Sequence, residues 1–366
     1  MSSFPIGRAQ PELYEEQLSK KLQKTQEEFA ALYRAEVESY PSAASHYRMR
    51  AEFRIWHNDE GSHYAMYEPG NYKKPVLITL FDIAGKQICA CMPRLLEQIN
   101  ACDILKKRLF QVEFLSTLSG ELLVTLIYHR ALDSTWEARA KQLENQIDAF
   151  VIGRSRKQKL TLSQDWVTEE LELQSGSFRF QQVETGFTQP NANVNRNMLN
   201  WACKHSEGFG GDLLELYCGN GNFTIPLSLG FDKVLATELA KVSTRSAIHN
   251  IELNKRDNIQ LVRLSAEEVT QAFNGVREFR RLKDINLDAY NFTTVFVDPP
   301  RAGIDEDSLK FIQRFENIIY ISCNPSTLKS NLELLDSTHV VDRMALFDQF
   351  PYTDHRECGA ILKKRT

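Results

Sequence analysis

The sequence predicts an α/β protein: a mixed, mostly parallel sheet wound with helices in residues 181–366, preceded by an α+β module in residues 1–180. Three observations lead there. In the second half, short apolar runs (GDLLELYCGNG, DKVLATELA, NIQLVRLSAEE, TTVFVDPPRAG, NIIYISCNP) each close in polar or glycine residues and are separated by helix-length segments. This is the rhythm of a doubly wound parallel sheet. In the first half the period is two, as in antiparallel strands. The residues able to do chemistry fall at the ends of the second-half runs, where open α/β sheets bind ligands.

The chain opens on an amphipathic helix: residues 10–39 place Leu18, Leu22, Phe29 and Leu32 at helical spacing among charges. From Ser45 the pattern changes. In YRMRAEFRIW one parity is apolar and the other carries Arg48, Arg50 and Arg54, predicting a half-buried strand with an arginine-rich outer face. Residues 109–128 read as a hairpin turning near Ser119-Gly120, and DSTWEARAKQLENQIDAF as a helix capped by Asp133 or Ser134. A basic run follows, with Arg154, Arg156, Lys157 and Lys159 and no acid among them.

Composition narrows the class. The 366 residues are 42% hydrophobic and 25% charged, enough for two folded domains. Net charge is −4 and neither half is basic, so a nucleic-acid surface must be a local patch. Seven scattered cysteines lack the paired spacing of a zinc site and any disulfide-like framework, so reduced thiols are expected. The opening MSSFPIGRAQPELYEEQL has no signal-peptide pattern, and no run reaches the roughly 18 apolar residues of a membrane span. A cytoplasmic monomer without membrane contact is the expectation.

The first run of the second half ends in Gly219-Asn220-Gly221-Asn222, a turn that lets backbone approach a ligand. The second ends at Glu238, placed to accept hydrogen bonds from both ribose hydroxyls of a nucleoside. Ser265 to Glu268, at the third, reads better as a helix cap than as a ligand contact. No phosphate-loop lysine is present, no arginine follows Glu238, and Asp298-Pro299-Pro300-Arg301 is foreign to nicotinamide dehydrogenases. S-adenosylmethionine, a nucleoside without phosphate, fits this set.

The fifth run ends in Cys323-Asn324-Pro325, a lone thiol at the lip of a buried strand, and the prolines of both turns hold the backbone off the helical path. Near the C-terminus, DQFPYTDHRECGAIL places His355 and Glu357 at a strand start. GFTQPN, LELYCGNGNF, VDPPRAG, SCNP and FPYTDHRE, in this order, resemble the S-adenosylmethionine-dependent RNA uridine C5-methyltransferases over nearly the whole chain. The resemblance implies a Rossmann-like methyltransferase domain preceded by an RNA-binding domain. It implies Cys323 as nucleophile, Glu357 as base, and Gln189, Tyr217, Asn222, Glu238 and Asp298 as cofactor contacts. Relatives acting on ribosomal RNA often carry an N-terminal barrel and a four-cysteine iron–sulfur site, and Cys89, Cys91 and Cys102 are too few for that cluster. The branch acting on tRNA is therefore favoured, with uridine-54 of the T loop as target, tmRNA as an alternative partner, and neither metal nor iron–sulfur cluster.

That chemistry needs these residue types. C5 of uracil is a weak nucleophile until a thiolate adds to C6, and a base must later remove the C5 proton so that the thiolate can leave. His355 competes with Glu357 for the basic role. A uridine inside folded RNA must also be turned out of its stack. Phe187 is a candidate to stack on it, and Arg48, Arg50, Arg54, Phe110, His129, Arg301 and the 154–159 run are candidates to contact the RNA. Two rivals differ in class. A thiol hydrolase using Cys323 and His355 leaves the glycine turn and DPPR unexplained. A non-catalytic RNA-refolding protein leaves Cys323 and Glu357 without a task.

Overall fold

The structure, a computed structural model, describes residues 6–68 and 70–365. The chain begins with helix α1 (Tyr14–Phe29) and strand β1 (Glu38–Tyr40). The buried stripe of α1 is Tyr14, Gln17, Lys21, Thr25 and Phe29, with Leu18 and Leu22 only half-buried. The leucine face expected from spacing is thus turned by about one position, because polar groups on the opposing surface satisfy Gln17, Lys21 and Thr25.

A seven-stranded sheet follows, built from β2 (Arg50–Asn58), β3 (Gly61–Glu68), β4 (Asn71–Leu77), β5 (Leu109–Ser116), β6 (Leu122–Tyr128), β7 (Phe150–Ser155) and β8 (Gln158–Thr161). Its order is β4-β3-β2-β5-β6-β7-β8. Helices α2 (Lys86–Asn100), α3 (Asp103–Lys106) and α4 (Ser134–Ile147) lie among these strands, and α4 makes the crossover that sets β6 and β7 parallel. Asp133 caps α4 by accepting from the Trp136 amide at 2.9 Å. Ala51, Phe53 and Ile55 of β2 enter the core with Ile88 and Leu95 of α2 and Trp136 of α4. Period-two burial of β2 therefore holds, with Glu52, Arg54 and Trp56 facing outward.

The hairpin β9 (Trp166–Leu173) and β10 (Gly176–Val183) leads to α5 (Ala192–His205). Then come β11 (Asp212–Leu216), α6 (Thr224–Leu227), β12 (Val234–Thr237), α7 (Lys241–Leu253), β13 (Ile259–Val262), α8 (Ala266–Phe273), β14 (Phe292–Val297), α9 (Glu306–Ile312), β15 (Asn317–Ser322), α10 (Pro325–Leu335), β16 (His339–Phe347) and β17 (Glu357–Lys364). The sheet order is β1-β16-β17-β15-β14-β11-β12-β13, and every neighbour pair is parallel except the two made by β17. The mixed, mostly parallel sheet expected from the sequence is present. Ser265 to Glu268 form a full capping box at the start of α8, the structural role the sequence favoured.

One feature departs from a division at residue 180. β1 is the edge strand of the second sheet, and Phe29, Tyr33 and Val37 belong to the core beneath it, together with Leu346, Cys358 and Ala360. Residues 29–40 therefore pack with residues 345–360. Among the described residues no helix is long and apolar enough to cross a membrane.

Candidate active site

Strand register assembles the site. β15 is buried along its whole length and is stopped by Asn324, whose side chain accepts from the Ser326 amide at 3.2 Å, with Pro325 opening α10. The Asn324 amide also donates to the Arg301 carbonyl at 2.9 Å, tying the SCNP turn to the DPPR turn and leaving Cys323 half-buried between them. β17 runs antiparallel to β15 with Ser322 opposite Cys358, so Glu357 starts its strand across from Cys323. On the other side, Val297 pairs with Tyr320, Leu216 with Val297, and Thr237 with Leu216. Asp298, Tyr217 and Glu238 are the next residues after those strand ends.

These ends open on a cavity of about 530 Å³. Its walls include Gln189, Tyr217, Asn222, Glu238 and Asp298 on the expected cofactor side, and Cys323, Glu357, His355 and Arg301 on the thiol side. Phe187 also lines it and is 71% exposed, an apolar ring standing at the mouth. Tyr217 holds a left-handed φ of 64°, unusual for a non-glycine residue, and Gly219 follows at 58° with open space where a Cβ would stand. Glu238 accepts from the Gly219 amide at 3.0 Å and the Ala240 amide at 2.6 Å, which shapes the turn. Asn222 and Asn195 exchange two side-chain hydrogen bonds of 2.9 Å, joining the turn to α5.

The cavity is acidic. Glu215, in the middle of the buried β11, has its carboxyl pushed up to about 8 by burial, with Asp298 and Glu238 adding to the shift. Its Oε2 has no hydrogen-bond partner among the described residues. Burial pushes Asp298 up to about 7. Glu357, 4% exposed, is held well above the usual carboxylate range by burial and then by Asp298, with Arg301 opposing. Burial also raises the Cys323 thiol, Glu357 and Asp298 raise it further, and the positive charge of Arg301 pulls it back. His355 is exposed and its imidazole is pushed down, by burial first and then by the cations Arg301 and Lys21. Raised in this way, the acids are largely protonated near neutral pH, and a nucleoside bearing positive charge would favour their ionised forms, whereas a pyrophosphate would not.

Other expected contacts lie elsewhere. Arg50 donates to the carbonyls of Glu184 at 3.1 Å and Gly186 at 2.9 Å, and Arg48 to the Arg50 carbonyl at 2.8 Å, so both guanidinia are half-buried between the sheets. In the basic run, Arg154 pairs with Glu184, and Lys159 with Asp165 and Glu184 at 2.6 and 3.0 Å, which leaves Arg156 and Lys157 exposed. Arg54 is also exposed: its guanidinium lies 4.0 Å over the Phe110 ring, and Phe110 stacks on His129 at 3.9 Å. Glu215 is not among the residues expected from the sequence, although a carboxyl set between leucines of a buried strand is its visible signal.

Fold and site together define an α/β enzyme of the nucleoside-binding kind, with a thiol and carboxyls sharing its cavity. The family model for tRNA (Uracil-5-)-methyltransferase matches residues 13–365, and the chain belongs to that family. It is 56% identical over 361 residues to a tRNA/tmRNA (uracil-C(5))-methyltransferase of Saccharophagus degradans, covering 98% of this chain and 99% of that one. It is 50% identical over 362 residues to the protein of the same name from Aromatoleum aromaticum, covering 99% and 98%. Among solved structures, the Pyrococcus abyssi tRNA (uracil-54, C5)-methyltransferase in complex with S-adenosyl-L-homocysteine shares the fold, with TM-score 0.74 and 24% identity over 95% of this chain and 83% of that one.

Proposed function

We propose that the protein methylates C5 of uridine-54 in the tRNA T loop through a covalent bond between Cys323 and C6, with tmRNA as a second substrate. The observation behind this reading is the register that sets Glu357 across from Cys323 at the mouth of an acidic nucleoside cavity. S-adenosylmethionine, bound there, supplies an electrophilic methyl group on a cationic sulfur. Glu238 would take the ribose hydroxyls, with Gln189, Tyr217, Asn222 and Asp298 as further contacts, and the buried acids suit the positive charge.

The Cys323 thiolate adds to C6, and the displaced ring electrons make C5 nucleophilic enough to take the methyl group. Arg301, on the thiol, favours its ionised form against the burial that disfavours it. Glu357, in its ionised form, then accepts the C5 proton. The electrons of that C–H bond rebuild the C5–C6 double bond as the C6–Sγ bond breaks, returning the thiolate. A base with a raised proton affinity suits this step. The seven-stranded sheet is read as the RNA-binding domain, with the exposed Arg54–Phe110–His129 stack holding the T arm and Phe187 meeting the turned-out base.

The test is methyl transfer from labelled S-adenosylmethionine to an unmodified tRNA transcript, with the modified nucleotide mapped. Label at uridine-54 is expected with the parent protein and none with Cys323→Ala. Label at another nucleotide, or an active Cys323→Ala variant, would overturn the reading.

A further inference from the structure

Helix α1 buries a polar stripe where a helix seeking a core would bury leucine. Gln17, Lys21 and Thr25 stand four residues apart on one face, all buried, and Glu28 lies one turn beyond Thr25. Their partners bracket the segment that leads into Glu357. At its start, Asp348 accepts from Lys21 Nζ at 2.7 Å and from Gln17 Nε2 at 2.9 Å, while Lys21 also donates to the Phe350 carbonyl at 2.8 Å. The Asp348 side chain has no exposed surface. At its end, Arg356 donates to Thr25 Oγ1 at 3.1 Å and to Glu28 Oε2 at 2.5 Å.

The segment between is also tied down. Tyr352 holds a φ of 62° and its hydroxyl donates to the Ala44 carbonyl at 2.6 Å; the Tyr47 hydroxyl donates to the Pro351 carbonyl at 3.3 Å. Phe350, His355, Arg356 and Glu357 of this stretch line the cavity. Along β17, Cys358 and Ala360 share a core with Phe29 of α1, while Ile361 belongs to the core on the other face. Arg356 is on the parity that faces α1 and Glu357 on the opposite one. The helix thus grips, from behind, the residue next to the base.

Apolar packing tolerates small slips, whereas directional charged contacts select one register. Cys323 depends on other supports: β15, the Asn324 cap and the Arg301 turn. We propose that α1 is the positioning element of the base, Lys21 and Glu28 acting through Asp348 and Arg356 to hold Glu357 at the C5 proton. On this account α1 governs release of the RNA adduct and leaves its formation and methylation largely alone. The inference rests on the reading of Glu357 as base, and it makes Lys21, Asp348, Glu28 and Arg356 positioning residues.

Single-turnover reactions with methyl-labelled S-adenosylmethionine and an unmodified tRNA transcript separate the two phases. Labelled adduct that survives denaturing electrophoresis is counted against released methylated RNA. Lys21→Met and Glu28→Gln should methylate the adduct within about threefold of the parent rate and release it about tenfold more slowly, with Lys21→Arg restoring release. Glu28 is 20% exposed and a glutamine there can still accept from Arg356, so Glu28→Gln serves if Lys21→Met folds poorly. Equal slowing of both phases, or release at the parent rate in Glu28→Gln, overturns the proposal. Glu357→Gln is run alongside. Adduct accumulating there but not in the α1 variants overturns the positioning role alone, and no accumulation in Glu357→Gln overturns the base assignment and this inference with it.

Discussion

Protons on the buried acids of the cavity make the protein's stability depend on pH. Glu215 and Asp298 have folded-state values of about 8 and about 7, well above those of ordinary carboxyls in an unfolded chain. At intermediate pH the folded protein therefore binds more protons than the unfolded one. Their contribution is fully present below the unfolded values and is lost as pH rises through about 7 to 8. Without cofactor, the melting temperature is expected to fall between about pH 6 and pH 8.5, and Glu215→Gln should flatten that fall. A calorimetric pH series on both proteins checks it; an equally steep fall in Glu215→Gln would assign the effect to other groups.

At the scale of elements, β17 decides the site. It is the one antiparallel strand in the eight-stranded sheet, and that direction lets it start, with Glu357, at the edge where the parallel strands end. Its middle is set by a close approach: a Cβ on Gly359 would lie 2.7 Å from the Trp201 ring of α5 and 3.0 Å from the Phe347 ring. Gly359→Ala should therefore overpack this face at a cost of about 1–3 kcal/mol, seen as a lower urea midpoint. Because the strand carries Glu357 at its start, release of methylated RNA should slow as well. Unchanged stability would show that Trp201 has room to move.

For the whole molecule, two sheets divide the work, one lining the cavity and one presenting an exposed stack of Arg54, Phe110 and His129. Phe110 is half-buried between Arg54 and His129 and holds both in place; aromatic stacking on a base is worth about 1–3 kcal/mol, so Phe110→Ala, by releasing the exposed His129 ring, should raise KM for tRNA by about 10-fold or more. Binding of S-adenosylmethionine, measured by calorimetry, should be unchanged, since Phe110 does not line the cavity. A matching loss of cofactor affinity would count against this division. Arg50 of the seven-stranded sheet holds the carbonyls of Glu184 and Gly186, in the segment that carries Phe187 and Gln189.

The α/β alternation, the hairpin turn near Gly120, a cap at Asp133 or Ser134 and the helix start at Ser265 were legible in the sequence, because periodicity and cap chemistry are written in neighbouring residues; the structure chose Asp133. The sequence also singled out SCNP, DPPR, the glycine turn and FPYTDHRE, whose prolines and glycines mark strand ends. That Glu357 lies across from Cys323 came from the folded chain, through the antiparallel register of β17 on β15. The tertiary structure likewise decided that α1 turns a polar stripe inward, that Arg50 and Arg154 are engaged within the protein, and that residues 38–40 join a sheet made by the C-terminal half. Each of these depends on partners far away in the chain, up to 331 residues for Gln17 and Asp348, and a local pattern carries no record of which distant charge will be waiting.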